Sequence, residues 1–369
     1  HAQDHELHNS KADPTAVKAA EIIKKFHARF GHCSPAVLER LAVTVDGADE
    51  LKGIRVSLIH DVIDKVCTIC PKARMTAKPH KTADKRGFTL THPITQFGDC
   101  VAVDHVGPMP ISYQHGFRYL VLFVDYYSNL LAAYFGVVKG YHDSMPIRQR
   151  FIADHRQLGV VKSFHQDNAN EYNGQTSIDL LTKQHIGMTW NVPGESNLNN
   201  RIEGAIYIVF KIARGMRIHS GVPISHWPLI IMYAVYVINR SPMYDNKRKV
   251  ATTRLTMARK KRHGVHEIRI FGCVCHAYIN RKDRPGKAKD GNLADVAISG
   301  ISMGYPSYQQ GGAVIIWRPS DGGSKYHVAY SVTYNEKSTY MDAWSLGKQV
   351  KDKEIHDKYG SKLPALYVV

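Results

Sequence analysis

Two apolar stretches, Cys100-Val-Ala-Val-Asp104 and Tyr119-Leu-Val-Leu-Phe-Val124, decide the fold class of this 369-residue chain. Continuous apolar runs of this length are typical of buried strands. A third candidate strand covers residues 130–138, and strand and helix patterns alternate after it. Three strands followed by that alternation predict a mixed α/β sheet. The first stretch ends in a carboxylate, so Asp104 lies at the end of a strand pattern.

Further elements of the same core follow. Residues 160–164 predict a short strand that ends near Asp167, and residues 187–192 predict an edge strand. Apolar residues at helical spacing predict helices over 147–158, 178–185, 197–219 and 226–239. We therefore place an α/β core at residues 95–245.

Smaller units flank this core. Before it, helix-start signals at Asp13-Pro14 and Ser34-Pro35 and an apolar pattern over 54–66 predict a small helical unit within residues 1–70. After it, short segments bounded by Gly and Pro predict a small β-barrel within residues 267–340. These segments are 274–279, 297–304, 313–317 and 327–334. The remaining divisions are a basic linker at 71–94, a basic connector at 246–266 and a tail at 341–369.

The helical unit carries two pairs of metal-ligand residues. His27 and His32 precede Cys67 and Cys70, with 34 residues between the pairs. Zinc prefers four nitrogen or sulfur ligands in a tetrahedron, which two such pairs supply. Because histidines five residues apart would not share a helix face, we expect Gly31 to end the helix and turn His32 back. Four protein ligands make a closed, structural site. Weaker candidate ligands are Cys33, His1, His5 and His8.

Three carboxylates of the core form a second candidate site. Asp104 and Asp167 follow strand patterns, and Glu203 opens a long helix, with 35 residues between the last two. A strand, a strand end and a helix can bring three carboxylates to one edge of a sheet. Such oxygens suit Mg²⁺ or Mn²⁺, and two ions about 4 Å apart stabilise the attacking and leaving oxygens of phosphodiester transfer. Glu171 and Glu195 compete weakly for the third position, and we interpret Asp125 as a structural strand-end partner.

The charge of the chain indicates a polyanionic partner. It has 49 Lys and Arg against 32 Asp and Glu, a net charge of +17, which is typical of proteins that bind nucleic acid. Three cations at 211, 214 and 217 lie on one helix face, although an ordinary solvated face would have the same pattern. The candidate DNA contacts are Arg201, Tyr207, Lys211, Arg214, Arg217, Lys260, Lys261 and Arg262.

Other classes of protein are disfavoured. No apolar stretch is long enough to span a membrane, and we expect no membrane partner. The first ten residues do not have the pattern of a signal peptide. The six cysteines do not suggest a disulfide framework, so we expect a reducing, intracellular setting.

A zinc-ligand set followed by this carboxylate triad resembles the integrase of long-terminal-repeat retrotransposons, most closely the copia (pseudovirus) type. The resemblance includes three further segments of the chain. These are Phe123-Val-Asp125-Tyr-Tyr-Ser, Ile238-Asn239-Arg240-Ser241-Pro242, and Phe271-Gly272-Cys273 with the later Gly304-Tyr305. The resemblance implies an RNase H-like fold for the core and an SH3-like form for the C-terminal barrel.

The same resemblance implies a function. It predicts a DDE polynucleotidyl transferase that joins the 3′ ends of element cDNA to target DNA, with 3′-end processing left open. The implied cofactors are two Mg²⁺ (or Mn²⁺) ions per active site and one structural Zn²⁺. The implied partners are double-stranded DNA, further copies of the chain in a dimer or tetramer, and a host chromatin or transcription-factor tether. The implied location is the nucleus, after cytoplasmic virus-like particles.

Three positions depart from the family pattern. Asn200 stands where glycine is usual, Gly204 where a basic residue is usual, and Ala169-Asn170 where a glycine pair is usual. None of them is a proposed metal ligand, but all lie where DNA ends would bind. Two alternatives therefore stay open. One is a domesticated, integrase-derived DNA-binding protein with weak or no catalysis, and the other is an RNase H-like nuclease that only cuts.

Overall fold

The computed structural model describes residues 14–74, 93–166, 181–190, 200–245, 249–278, 295–306, 312–319 and 326–344. Residues 14–74 form helices α1 (Pro14–Arg29), α2 (Pro35–Thr44), α3 (Val56–His60) and α4 (Ile69–Arg74). A 3-10 turn covers Asp49–Leu51, and α3 continues as a π-helical turn over Asp61–Val66. Helices α1 and α2 begin at the predicted prolines. A backbone N–H at the first helical position has no acceptor within the helix, so a proline there loses no hydrogen bond.

The helical unit does not have a separate core. Ile23, Phe26 and Leu41 are buried inside it, and the same apolar cluster continues into Val209 and Met216 of the central domain. A unit this small buries too little apolar surface to be stable alone. Its packing against the central domain therefore supplies part of its stability.

The central domain is built on a five-stranded sheet. Its strands are β1 (Val101–Val106), β2 (Tyr119–Asp125), β3 (Leu131–Gly136), β4 (Ser163–Gln166) and β5 (Gly187–Trp190), in the order β3-β2-β1-β4-β5. β1, β2 and β3 are antiparallel, whereas β4 runs parallel to β1 and β5 runs parallel to β4. The predicted mixed α/β core is confirmed.

Helices cover both faces of this sheet. Those with described bounds on the sheet include α5 (Tyr141–His155), α6 (Asn200–Ser220) and α7 (Trp227–Arg240). Val101 and Val103 pack with α5, while Ala102 packs in the cluster that contains α6 and α7. In the part of the chain that the structure describes, no helix is both long and apolar enough to cross a membrane.

Helix α5 differs from the prediction at its start. It begins at Tyr141, six residues before the predicted start at 147, with Pro146 inside it. The carboxylate of Asp143 accepts hydrogen bonds from the backbone N–H groups of Val137 and Val138, at 2.7 and 2.9 Å. These bonds hold the first turn of the helix against the end of β3, which the apolar pattern does not reveal.

Two further elements lead out of the domain. The hairpin β6 (Pro242–Asp245) and β7 (Val250–Thr253) is followed by α8 (Arg254–Arg259). An antiparallel sheet then contains β8 (Cys273–Tyr278), β9 (Ala297–Ser302), β10 (Val314–Trp317), β11 (Tyr326–Ala329) and β12 (Val332–Thr339), and α9 (Tyr340–Trp344) follows it. The strand order is β11-β10-β9-β8-β12.

One predicted strand of this sheet is wrong. The segment 327–334 was expected to be continuous, but the chain breaks between β11 and β12. β11 pairs with β10, and β12 crosses to pair with β8. A straight, uninterrupted strand would pair with only one of these partners, and the break at Tyr330 and Ser331 lets the chain pair with both.

Glu336 on β12 joins the C-terminal sheet to the helical unit. Its carboxylate accepts from Arg29 Nε at 2.8 Å and from Arg29 Nη2, and it also accepts from the backbone N–H of Ile270 at 2.9 Å. Burial lowers the pKa of Arg29, but the hydrogen bond and charge of Glu336 outweigh this effect and raise it overall. The paired charges thus connect α1, β12 and the segment before β8.

Candidate metal sites

The turn after α1 places the two histidines side by side. Gly31 and His32 both have a left-handed backbone, with φ of 62° and 60°, and the N–H of His32 donates to the carbonyl of His27 at 2.8 Å. The two imidazole rings meet edge to face with their centroids 4.8 Å apart. Glycine has no Cβ to oppose this conformation, so Gly31 ends the helix and lets His32 turn back, as predicted.

The two cysteines approach from the start of α4. The backbone N–H of Cys70 donates to Cys67 Sγ at 3.4 Å. His27 Nε2 lies 3.3 Å from Cys67 Sγ and 3.2 Å from Cys70 Sγ. His32 Nδ1 lies 3.4 Å from Cys67 Sγ and 3.2 Å from His27 Nε2. The structure thus brings together all four predicted ligands, whose ligand atoms lie within 4.8 Å of one another.

This arrangement fits a tetrahedral zinc ion. At the usual bond lengths, nitrogen and sulfur ligands of zinc lie about 3.3–3.6 Å apart, close to the four distances given above. Three of the four residues are buried, so the site is closed to solvent and to substrate. Cys33, the competing thiol, is buried in the apolar cluster and is not a member of the ligand group. His1, His5 and His8 lie outside the described residues.

Asp104 lies on the central strand of the sheet. It pairs in register with Leu122 of β2, and one of its carboxylate oxygens accepts from the N–H of His105 at 2.7 Å. Since side chains alternate along a strand, Asp104 shares the face of Ala102, which packs toward α6. The carboxylate therefore points to the side of the sheet that carries the long helix.

Glu203 lies in the first turn of α6 and is exposed. The same turn is anchored by Arg201, whose Nη1 donates to the carbonyl of Tyr126 at 2.7 Å. The guanidinium also lies 4.4 Å from the centre of the Tyr126 ring. α6 packs on β1 and β2, so the helix that bears Glu203 covers the face that bears Asp104.

The third carboxylate, Asp167, lies outside the described residues, and so do Glu171 and Glu195. The chain enters that segment from β4, where Ala102 of β1 pairs with His165. This register puts Gln166, the last residue of β4, level with Val103. The described end of β4 thus lies one residue short of the level of Asp104, and the triad as a set stays a prediction.

Asp125 has a structural role. Its side chain is buried and accepts from the N–H of Gly98 at 2.9 Å and from the N–H and hydroxyl of Ser128 at 2.7 and 2.6 Å. Burial raises its pKa, and these hydrogen bonds oppose that rise. The interpretation of Asp125 as a strand-end partner is confirmed, because its oxygens are occupied in holding the turn after β2.

The predicted basic residues lie in two places. On α6, Tyr207 is 48% exposed and Lys211 Nζ lies 5.5 Å from its ring centre, while Arg214 donates to the carbonyl of Ala73 at 2.8 Å. Arg217 lines a cavity of about 420 Å³ together with Lys72 and Arg214. After α8, Lys260, Lys261 and Arg262 are exposed, and Arg262 Nε pairs with Asp46 at 2.9 Å.

Sequence analysis missed a buried arginine beneath the end of β4. Arg148 of α5 donates to Ser144 Oγ and to Gln166 Oε1, and its guanidinium lies 6.0 Å from the centre of the Phe164 ring. It fixes the residue that immediately precedes Asp167. Burial, and then the charge of Arg148, lowers the pKa of His105 to about 3. The four-residue spacing of Ser144 and Arg148 was an available signal for the first contact.

Comparison with known proteins supports the predicted resemblance. No protein-family model matches the chain. It is 25% identical over 296 residues, 80% of its length, to the retrovirus-related Pol polyprotein from transposon TNT 1-94 of Nicotiana tabacum. The Pol polyproteins from transposons RE2 and RE1 of Arabidopsis thaliana are each 23% identical to it, over 77% and 69% of the chain. The predicted resemblance to copia-type elements is confirmed, since these are copia-type transposons.

The chain spans 20%, 18% and 16% of the length of these three curated relatives. Similar solved structures include the simian T-cell lymphotropic virus intasome in complex with PP2A regulatory subunit B56 gamma. It has a TM-score of 0.38 and 15% identity, over 82% of this chain and 98% of that chain. The HTLV-2 integrase catalytic core domain in complex with magnesium has a TM-score of 0.33 and 14% identity, over 44% and 97%.

Proposed function

We propose that this chain is the integrase segment of a copia-type Pol polyprotein and joins the 3′ ends of element DNA to target DNA. The observation that carries the proposal is the position of Glu203 on α6. This helix packs on β1, the strand of Asp104, and also on the turn of His32. The similarity to three transposon Pol polyproteins supports the same conclusion.

The strand arrangement supports the fold that this function needs. Three antiparallel strands followed by two parallel ones, in the order β3-β2-β1-β4-β5, are typical of the RNase H-like fold, to which we assign the core. In the C-terminal sheet the last strand returns to pair with the first, β12 beside β8. We infer that this sheet forms the predicted SH3-like barrel and contributes to DNA binding.

The donor chemistry of the carboxylates suits hard divalent cations, because carboxylate oxygens are the ligands that Mg²⁺ and Mn²⁺ prefer. Asp104, Glu203 and Asp167 would hold two such ions, and when bound these would supply activation of an attacking 3′-hydroxyl and stabilisation of the leaving oxygen of the target strand. The chain's own residues position the reaction. Arg201 ties the start of α6 to Tyr126, and α6 in turn sets the position of Glu203.

DNA would meet the exposed basic and aromatic groups. Tyr207 and Lys211 follow Glu203 by one and two turns of α6, and Lys260 and Lys261 offer two further cations. A net charge of +17 favours binding to phosphates. We include in the proposal a dimer or tetramer that holds two DNA ends, a host chromatin tether and action in the nucleus.

Strand joining by the wild type and Glu203→Gln tests the function. Short duplexes that end in CA are incubated with plasmid and Mg²⁺, and joined products are counted. We expect Glu203→Gln to lose activity on the order of 10³-fold, since metal ions supply several kcal/mol of charge stabilisation. Glu21→Gln, an exposed glutamate of α1, serves as the matched control and should retain activity.

The other outcomes separate the alternatives. Cutting without joining would identify a nuclease. Salt-sensitive DNA binding without cutting or joining would identify a domesticated binding protein. Joining by Glu203→Gln at the wild-type rate would contradict the role given to this carboxylate.

A further inference from the structure

His219, in the last turn of α6, contacts a zinc ligand of the helical unit. Its Nδ1 lies 2.9 Å from His32 Nε2, and the two rings are tilted with their centroids 4.8 Å apart. The other nitrogen of His32, Nδ1, faces His27 Nε2 and Cys67 Sγ. The two nitrogens of His32 therefore have separate partners, one in the ligand cluster and one on the central domain.

We propose that His219 is a positioning residue for the zinc site and that it couples zinc binding to the helix that carries Glu203. A histidine that binds metal through one nitrogen carries its proton on the other, and a fixed acceptor there sets the tautomer and the ring orientation. With Nδ1 of His32 turned to the cluster, Nε2–H donates to His219 Nδ1. The acceptor comes from a different structural unit than the four ligands.

Close packing makes this contact part of a rigid junction. A Cβ added to Gly31 would lie 2.6 Å from Ile212 Cγ2 and 2.7 Å from Met216 Cε, and one added to Gly215 would lie 3.2 Å from the carbonyl oxygen of Gly31. The backbone of the ligand turn thus lies directly against α6. A shift of His32 would have to move these side chains as well.

A second contact fixes the other half of the zinc unit. Arg214 Nη1 donates to the carbonyl of Ala73 in α4 at 2.8 Å, and α4 begins beside Cys67 and Cys70. The histidine turn and the cysteine helix therefore both meet the C-terminal half of α6. Because α6 is one continuous helix of 21 residues, the junction sets the direction of its first turn, where Glu203 lies.

Zinc affinity tests the role of His219 without any catalytic assay. His219→Asn and His219→Leu introduce side chains of similar size, but only asparagine offers an acceptor near the position of Nδ1. Zinc itself is titrated against a chromophoric chelator. We expect the leucine variant to bind zinc about 10–100-fold more weakly, as is usual when the partner of a ligand is lost, and the asparagine variant to stay close to the wild type.

A matched control excludes a general loss of stability. His155→Phe removes a half-buried histidine whose ring stacks on Phe151 and lies near Phe97, far from the ligands in sequence, and it should leave zinc affinity unchanged. Equal zinc affinities of the leucine variant and the wild type would overturn the proposal. Equal losses in the asparagine and leucine variants would also overturn it, since side-chain size rather than an acceptor would then matter.

A spectroscopic readout applies even where the leucine variant does not fold. The absorption bands of Co²⁺ bound in place of zinc depend on the hydrogen-bond partner of each ligand. We expect the asparagine variant, which keeps an acceptor for His32 Nε2–H, to bind Co²⁺ with the bands of the wild type, and shifted bands in this variant would contradict the proposed contact.

The coupling of the zinc site to Glu203 rests on the proposed function and is tested by a separate experiment. Strand joining by His219→Leu should recover when excess zinc is added, whereas joining by Glu203→Gln should not. Activity in the leucine variant that does not respond to zinc would overturn the coupling. If no variant and no wild type joins DNA, the proposed function fails, while the zinc affinities still decide the role of His219.

Discussion

The His/Cys set and the carboxylate set are brought together in different ways. Each pair of the first set is local: one turn joins His27 to His32, and one helix start joins Cys67 to Cys70. Asp104 and Glu203 instead come from a strand and a distant helix, and only the packing of α6 on the sheet relates them. The His/Cys set, which is closed to solvent, is therefore part of the fold, and we call it the closed set. The carboxylate set depends on the fold for its assembly and contributes little to stability.

This difference separates stability from chemistry. Loss of a ligand from the closed set should weaken folding, and loss of an exposed carboxylate should leave folding intact. Helix α6 connects the two sets, because its first turn carries Glu203 and its last turn carries His219. Substitutions in the closed set, at the junction and in the core test these assignments in turn.

The largest expected effect is in the closed set. Cys70→Ser should reduce bound zinc to a small fraction of the wild-type content and destabilise α1–α4, because a structural zinc site contributes on the order of 10 kcal/mol of binding free energy. Zinc content by mass spectrometry and thermal unfolding measure both changes. Cys33→Ser is the control, since Cys33 is buried nearby but is not a ligand. Full zinc content in Cys70→Ser would contradict the assignment of Cys70 as a ligand of a structural zinc site.

The second effect concerns the junction. Gly31→Ala should destabilise the protein by about 2–5 kcal/mol, from the left-handed backbone and from overpacking against Ile212 and Met216. Gly53→Ala is the matched control: Gly53 also has a positive φ, of 76°, but no atom lies within 4 Å of an added Cβ. It should cost about 1–2 kcal/mol. Equal losses of unfolding free energy in the two variants, measured by urea unfolding, would show that Gly31 is not tightly packed against α6.

The smallest expected effect is a loss of folding stability at low pH, which arises from a buried histidine of the core and does not depend on zinc. Burial lowers the pKa of His226 to about 3, and its Nδ1 lies 2.6 Å from the hydroxyl of Tyr326. The unfolded chain, with a pKa of about 6.5, binds a proton first, so stability present above that pH is lost as the pH falls toward 3. At pH 5 this loss is about 2 kcal/mol.

His226→Asn isolates this loss, because asparagine keeps an acceptor for Tyr326 but does not titrate in this range. Unfolding free energies are measured at pH 7 and pH 5 with equal zinc content. The variant should lose about 2 kcal/mol less than the wild type between these pH values. The same loss in both proteins would show that His226 is not the acid-sensitive group.

Local signals predicted most of the fold. Proline at the first helical position marked α1 and α2, and apolar runs marked β1, β2 and β3. The convergence of the four His and Cys residues was predictable for the same reason, since each pair is encoded within a few residues. A glycine between the histidines was sufficient to predict the turn that joins them.

The features that sequence analysis missed depend on distant contacts. The early start of α5 rests on bonds from Asp143 to the end of β3, and the break before β12 rests on pairing across the sheet. His219 has no neighbouring motif, because its partner lies 187 positions earlier in the chain. Periodicity describes which face of an element is apolar, but it does not identify the element that covers that face.

The carboxylate of Glu336 has a consequence for how such chains diverge. It accepts hydrogen bonds from Arg29 of α1 and from the backbone N–H of Ile270. A substitution at only one of positions 29 and 336 would therefore disrupt the contact. Recombination between related genes that exchanged helix α1 but not strand β12 would leave a half-buried charge without its counter-charge. Positions 29 and 336 should therefore be inherited as a pair, although more than three hundred residues lie between them.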